Sequence, residues 1–117
     1  MCISDSEQNL MEMIWEREPL RSGELVTLAG ERLGWKKSTV YTVVKKLTVK
    51  GFIRSENAVI TALRSRRDVV GEKTESFVDK SCGGSLPMFL AAFLGKEKLT
   101  REEAEELKRL IDDHTEE

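Results

Sequence analysis

Between residues 5 and 50 the apolar side chains fall into three stripes at helical spacing, and each stripe is closed by proline or glycine. This pattern restricts the stretch to three short helices on one shared core. Ser4-Asp5-Ser6-Glu7 has the form of a capping box, in which Ser4 and Glu7 satisfy each other's free backbone N–H groups. Leu10, Met11, Ile14 and Trp15 follow, which predicts a helix over 5–17 that Pro19 stops from continuing. Leu25, Leu28, Ala29 and Leu33 predict a second helix over 22–33, ending at Gly34. Val40, Val43, Val44 and Leu47 predict a third over 37–50, ending at Gly51.

The second and third helices are joined by the short link Gly34-Trp35-Lys36, the arrangement of a helix-turn-helix. Next come two short β-prone runs, Phe52-Ile53-Arg54-Ser55 and Val59-Ile60-Thr61-Ala62-Leu63, around Glu56-Asn57 as a turn-compatible pair. They predict a hairpin, and a hairpin in this position is a wing. Beyond it, Val70, Phe77 and Val78 suggest a helix over 68–80, broken by Gly83-Gly84. Leu86, Phe89, Leu90, Phe93 and Leu94 then follow the i, i+3, i+4, i+7, i+8 spacing of a helix with one apolar face. Thr100-Arg101-Glu102-Glu103 is a second capping box, opening a last helix with Ala104, Leu107, Leu110 and Ile111 on one side. The expected fold class is therefore mainly α (α+β): a winged helix-turn-helix over 1–67 and a three-helix dimerisation tail over 68–117.

The tail needs a partner. About fifty residues in three short helices lie near the size at which isolated folding becomes marginal. Yet Phe77, Leu86, Phe89, Leu90, Phe93, Leu94, Leu107, Leu110 and Ile111 form a large apolar set. Burying such a side chain contributes roughly 1.5 to 3 kcal/mol, so packing against the same tail of a second chain is expected, which makes these nine the candidate dimer interface. The alternative is that the tail folds back onto its own winged helix.

Charge separates the two parts. Residues 1–67 hold 12 Lys/Arg against 8 Asp/Glu, and residues 68–117 hold 7 against 13, so the formal net charge of −2 conceals a basic half and an acidic half. From Arg32 to Arg54 there are seven cations, Arg32, Lys36, Lys37, Lys45, Lys46, Lys50 and Arg54, and no Asp or Glu. With the valines of the third helix turned inward, Ser38, Thr39, Tyr41, Thr42, Lys45 and Lys46 are left outward: hydroxyls and cations, suited to base edges and phosphates. Lys36 and Lys37 stand at the helix N-terminus, where cations are unfavourable by a few tenths of a kcal/mol unless an anion such as phosphate is near. The candidate DNA-binding residues are Lys36, Lys37, Ser38, Thr39, Tyr41, Thr42, Lys45, Lys46, Lys50 and Arg54. A winged helix that serves only as a protein-interaction module is the alternative.

Other classes find little support. No apolar run approaches the roughly 20 residues that span a bilayer. The start, Met1-Cys2-Ile3-Ser4-Asp5, lacks the regions of a signal peptide, so a cytoplasmic protein without membrane insertion is expected. Cys2 and Cys82 have no C-x-x-C spacing and read as free thiols, and His114 sits in an acidic tail end. No metal site, cofactor or nucleophile–base pair is expected, and hence no enzyme.

The chain resembles the penicillinase-repressor family, the BlaI/MecI/CopY group of winged-helix repressors, from Ile3 to about Leu110. The resemblance is carried by Ile3-Ser4-Asp5-Ser6-Glu7 with Met11 and Trp15, by Gly34-Trp35-Lys36-Lys37-Ser38-Thr39-Val40-Tyr41-Thr42, and by Lys46-Leu47 and Lys50-Gly51-Phe52-Ile53. In the tail it is carried by Ser76-Phe77, Gly83-Gly84-Ser85-Leu86, Ala91-Ala92-Phe93-Leu94 and Leu99-Thr100 with Glu102, Glu103, Glu106 and Leu107. It implies a homodimer that represses genes from a palindromic double-stranded DNA operator. It also implies release by a cue, with Ala92-Phe93 at the bond cut in antibiotic-responsive members and a membrane sensor protease as partner. The chain departs from the family pattern at Gln8, where Trp is usual, at Lys36 in place of a capping Ser, and at Ala92 in place of Asn before the cut bond. The wing is short, with Glu56 expected at its tip, so Arg64, Arg66 and Arg67 behind it are candidate substitutes for wing contacts to phosphate. Paired C-terminal cysteines like those of copper-sensing members are absent from the sequence.

Overall fold

The computed structural model describes residues 3–116, so the expectation for Cys2 lies outside the described residues. The three N-terminal helices fold as the apolar stripes require: α1 Asp5–Arg17, α2 Ser22–Leu33 and α3 Lys37–Lys50. The capping box is formed at α1, with the Ser4 N–H donating to Glu7 Oε1 at 2.8 Å and the Glu7 N–H to Ser4 Oγ at 3.3 Å. Gly34 and Gly51, at φ 67° and 82°, end α2 and α3 in the left-handed conformation, which glycine adopts without steric penalty.

Between α1 and α2 lies a two-residue strand that the sequence did not announce, β1 Leu20–Arg21. The hairpin follows α3 as β2 Ile53–Glu56 and β3 Val59–Ala62. The sheet is antiparallel with order β1-β3-β2, Leu20 opposite Ile60 and Ser55 opposite Ile60 from the other side. The expected Glu56-Asn57 turn is shifted by one residue: Glu56 closes β2, and Asn57 and Ala58 make the turn at φ 51° and 62°. Two positive φ values in succession are what a two-residue hairpin needs to match strand twist.

The chain divides into two compact units, Met1–Thr74 and Glu75–Glu117. In the first, Leu10, Met11, Ile14, Leu25, Val40, Leu47, Phe52, Ile53 and Ile60 meet in one core with every stripe facing inward. Removing Leu47, fully enclosed there, would cost about 2 to 5 kcal/mol as Leu47→Ala. The start of helix α4, Arg66–Cys82, joins the same core through Val69, whereas Val70 is exposed. The helix begins two residues earlier than the pattern suggested, because Arg66 bonds Glu12 of α1 at 2.9 Å and the indole N–H of Trp15 donates to the Arg64 carbonyl at 2.9 Å. Those links fix the backbone where α4 opens.

The second unit contains α5 Leu86–Leu94 and α6 Arg101–Asp113, opened by Ser85 and by the Thr100–Glu103 capping box. Neither helix has a buried residue. Phe77 and Phe89 meet edge to face at 6.0 Å, an arrangement that aromatic rings favour.

Candidate nucleic-acid interface

The outer face of α3 is set by what its inner face must do. With Val40, Val43, Val44 and Leu47 held in the core, Lys37, Ser38, Thr39, Tyr41, Thr42, Lys45 and Lys46 all lie exposed, with Lys36 at the N-cap. The Thr42 hydroxyl donates to the Ser38 carbonyl at 2.9 Å, which fixes its rotamer and turns its lone pairs outward as acceptors. Lys37 Nζ stands 5.8 Å from the centre of the Tyr41 ring, close enough for a weak cation–π contact that restrains Tyr41.

The seven basic residues of the acid-free window are not equivalent in space. Arg32 is taken by Glu16 through two bonds of 2.9 and 3.1 Å, and this ion pair raises the guanidinium and lowers the carboxyl from their usual values, the hydrogen bonds being the larger cause. Lys50 is taken by Glu7 at 2.7 Å, and Arg54 by Glu56 at 2.7 Å. Among the described residues, Lys36, Lys37, Lys45 and Lys46 form no ion pair. These four are therefore the cations of the window whose charge is open to an outside anion. The arginines behind the wing are likewise engaged, Arg64 with Glu72 by a two-pronged pair and Arg66 with Glu12, so only Arg67 of that trio lacks an ion pair among the described residues.

Two open grooves border the exposed face. One, of about 690 Å³, runs between the start of α1 and the outer side of α3 and is lined by Ser4, Ser6, Thr39, Thr42, Lys46 and Lys50. The other, of about 590 Å³, is lined by Thr42, Lys45, Lys46, Val49 and Lys50. Ser4, Ser6 and Val49 were not among the sequence candidates. Val49, 80% exposed, breaks the inward pattern of its neighbours and could have been noticed as an apolar residue on a polar face. For the two serines, no sequence signal goes beyond their role at a helix start.

In the tail the candidate interface residues are open: Phe77, Leu86, Phe93, Leu94, Leu110 and Ile111 are exposed, and Phe89, Leu90 and Leu107 half-buried. Ala92 is exposed as well. Met88, also exposed, extends the apolar surface off the predicted stripe. No helix among the described residues is long and apolar enough to cross a membrane.

A three-helix core, a small sheet with a wing and an outward helix of hydroxyls and open lysines define a winged helix-turn-helix of the DNA-binding class. The family model of the penicillinase repressors matches residues 3–113, and the chain belongs to that family of DNA-binding transcriptional repressors. It is similar to the penicillinase repressor of Bacillus licheniformis, 26% identical over 116 residues, which covers 96% of this chain and 91% of that protein. It is also similar to the methicillin resistance regulatory protein MecI of Staphylococcus aureus (strain N315), 25% identical over 113 residues, 93% of this chain and 92% of that one. Among solved structures it matches the solution structure of the DNA binding domain of the repressor BlaI, with a TM-score of 0.50 and 26% identity, over 56% of this chain and 85% of that domain. The chain is not an enzyme; it is a repressor.

Proposed function

We propose that this repressor acts as a homodimer on a palindromic DNA operator, with α3 of each protomer in the major groove. The observation that carries this reading is the division of charge on α3. Three of the window's cations are consumed by carboxylates, while Lys36, Lys37, Lys45 and Lys46 stay open on the face that also presents Ser38, Thr39, Tyr41 and Thr42. Lysines without partners at a helix N-terminus are mildly unfavourable in isolation, and a backbone phosphate reverses that sign. The hydroxyls, placed one turn apart on the same face, have the donors and acceptors that distinguish base pairs in the major groove.

Dimerisation is proposed from the uncovered tail. Phe93 is 51% exposed, and Leu86, Leu94, Leu110 and Ile111 are exposed to a similar degree. A second tail would remove these surfaces from water and present two reading helices to two half-sites. For release we propose cleavage at Ala92–Phe93 by a membrane sensor protease, the cue being that partner's signal. Both residues are exposed, and the cut would separate α6 from the rest of the chain. The protein is proposed to act in the cytoplasm, where its DNA is. A fluorescence-anisotropy titration on the DNA upstream of its own gene, set against random DNA, tests the reading. Sequence-preferring affinity that falls steeply with salt is expected, and no binding at low salt would contradict it.

A further inference from the structure

Glu7 is 2% exposed, the one charged residue that is buried among the described residues, and it sits in the first turn of α1. Its Oε1 accepts from Lys50 Nζ at 2.7 Å and from the Ser4 N–H at 2.8 Å, while its Oε2 is buried and has no hydrogen-bond partner among the described residues. Lys50 is the last residue of α3, and its side chain is 26% exposed. It lines both grooves that border the reading face, in company with Thr42 and Lys46.

From this geometry we infer that Glu7 is a positioning residue for DNA reading: it withholds Lys50 from the phosphate backbone and pins the C-terminal end of the reading helix to the start of α1. The inference rests on the DNA-binding reading. A buried carboxylate requires a paired cation, and leaving it unpaired is far more costly than leaving a surface phosphate without one of its several contacts. A phosphate contact at the protein surface is also weakened by water and by salt. Lys50 therefore stays on Glu7 when DNA arrives. Two functions are served by one bond: the orientation of α3 becomes less variable along its length, and the count of sequence-independent contacts is kept down by one per protomer.

Glu7→Gln isolates the charge, because glutamine at this position preserves the capping box. The variant loses the negative charge that Glu7 sets against Lys50, whose ammonium lies beside the groove that Lys46 also lines. The experiment measures affinity for a fluorescein-labelled duplex of random sequence across a salt series. The slope of log affinity against log salt is expected to steepen by about 0.9 for each protomer bound. The double variant Glu7→Gln/Lys50→Met is expected to return the slope to that of the original protein. A merely structural role for Glu7 would weaken binding without steepening the slope, so an unchanged slope in Glu7→Gln overturns the inference, as does a steep slope that persists in the double variant. No binding by the original protein at low salt would overturn the DNA-binding reading and this inference with it. Binding with an unchanged slope in the variant overturns the inference alone. Reductive methylation of the unmutated protein provides a second measurement that does not depend on how well the variants fold. Lys50 should react poorly with and without DNA, whereas Lys46 should react freely and be protected by DNA. A Lys50 that reacts freely until DNA protects it would overturn the proposal.

Discussion

At the scale of single residues, the candidates on α3 divide by chemistry. Lys46 is an exposed point charge and Thr42 and Tyr41 are exposed hydroxyl bearers. Lys46→Ala is expected to weaken binding to operator and random DNA alike and to flatten the salt slope by about 0.9 per protomer. Thr42→Ala or Tyr41→Ala is expected to change preference among sequences, by about 1 to 3 kcal/mol for a direct base contact. Equal losses on both kinds of DNA for all three variants, measured by anisotropy, would contradict that division. Glu7 adds a prediction about acid. Burial pushes its carboxyl up, but hydrogen bonds from Lys50 and from the backbone and side chain of Ser4, with the Lys50 charge, outweigh this and leave it below the ordinary value of 4.5. A carboxyl lowered in the folded state contributes stability that is present above the ordinary value and lost as pH falls through the lowered one. Thermal melts taken from neutral pH to below 4.5 should therefore show a smaller acid-induced loss in Glu7→Gln than in the original protein. Exposed hydroxyls and lysines were legible in the sequence from the valine spacing alone. The engagement of Lys50 was not, because its partner lies 43 residues away and only the packing of α1 on α3 brings them together.

At the scale of elements, helix ends and the two strands of the wing were written locally and β1 was not. Ser4 and Glu7, Gly34 and Gly51 mark their termini through hydrogen bonds and φ angles that depend on neighbours in sequence. β1 has two residues and no pattern of its own. It exists because Leu20 and Arg21 find backbone partners on β3 at Ile60 and Val59, far along the chain. The wing turn slipped by one residue because Asn57-Ala58 lacks the glycine that advertises a two-residue hairpin. Ala58 consequently holds φ 62° with a side chain, a conformation that costs an L-residue roughly 1 to 2 kcal/mol. Ala58→Gly is expected to raise the unfolding free energy by about 1 kcal/mol in a urea titration; a loss of stability would show that the Ala58 methyl has a packing role. Val69 of α4 joins the core without a periodic stripe to announce it, since the opening of that helix is set by Trp15, Glu12 and the Arg64 carbonyl.

At the scale of the whole molecule, the account requires two chains. The apolar spacing of α5 and α6 was plain in the sequence, but spacing alone does not say what covers it. The structure adds that neither helix buries a residue within the chain. Phe93→Asp places a charge in the proposed interface and is expected to give monomers by sedimentation. Operator affinity should then fall roughly a hundredfold or more as the second half-site contact ceases to be intramolecular. An unchanged dimer would remove this surface from the interface. The central claim, that the outer face of α3 is the surface that meets DNA, is tested most directly by mapping backbone amide shifts in two-dimensional NMR as DNA is added. The account predicts that the largest changes cluster at residues 36–46 and fade as salt rises. Changes confined to other parts of the chain, with that segment undisturbed, would contradict it.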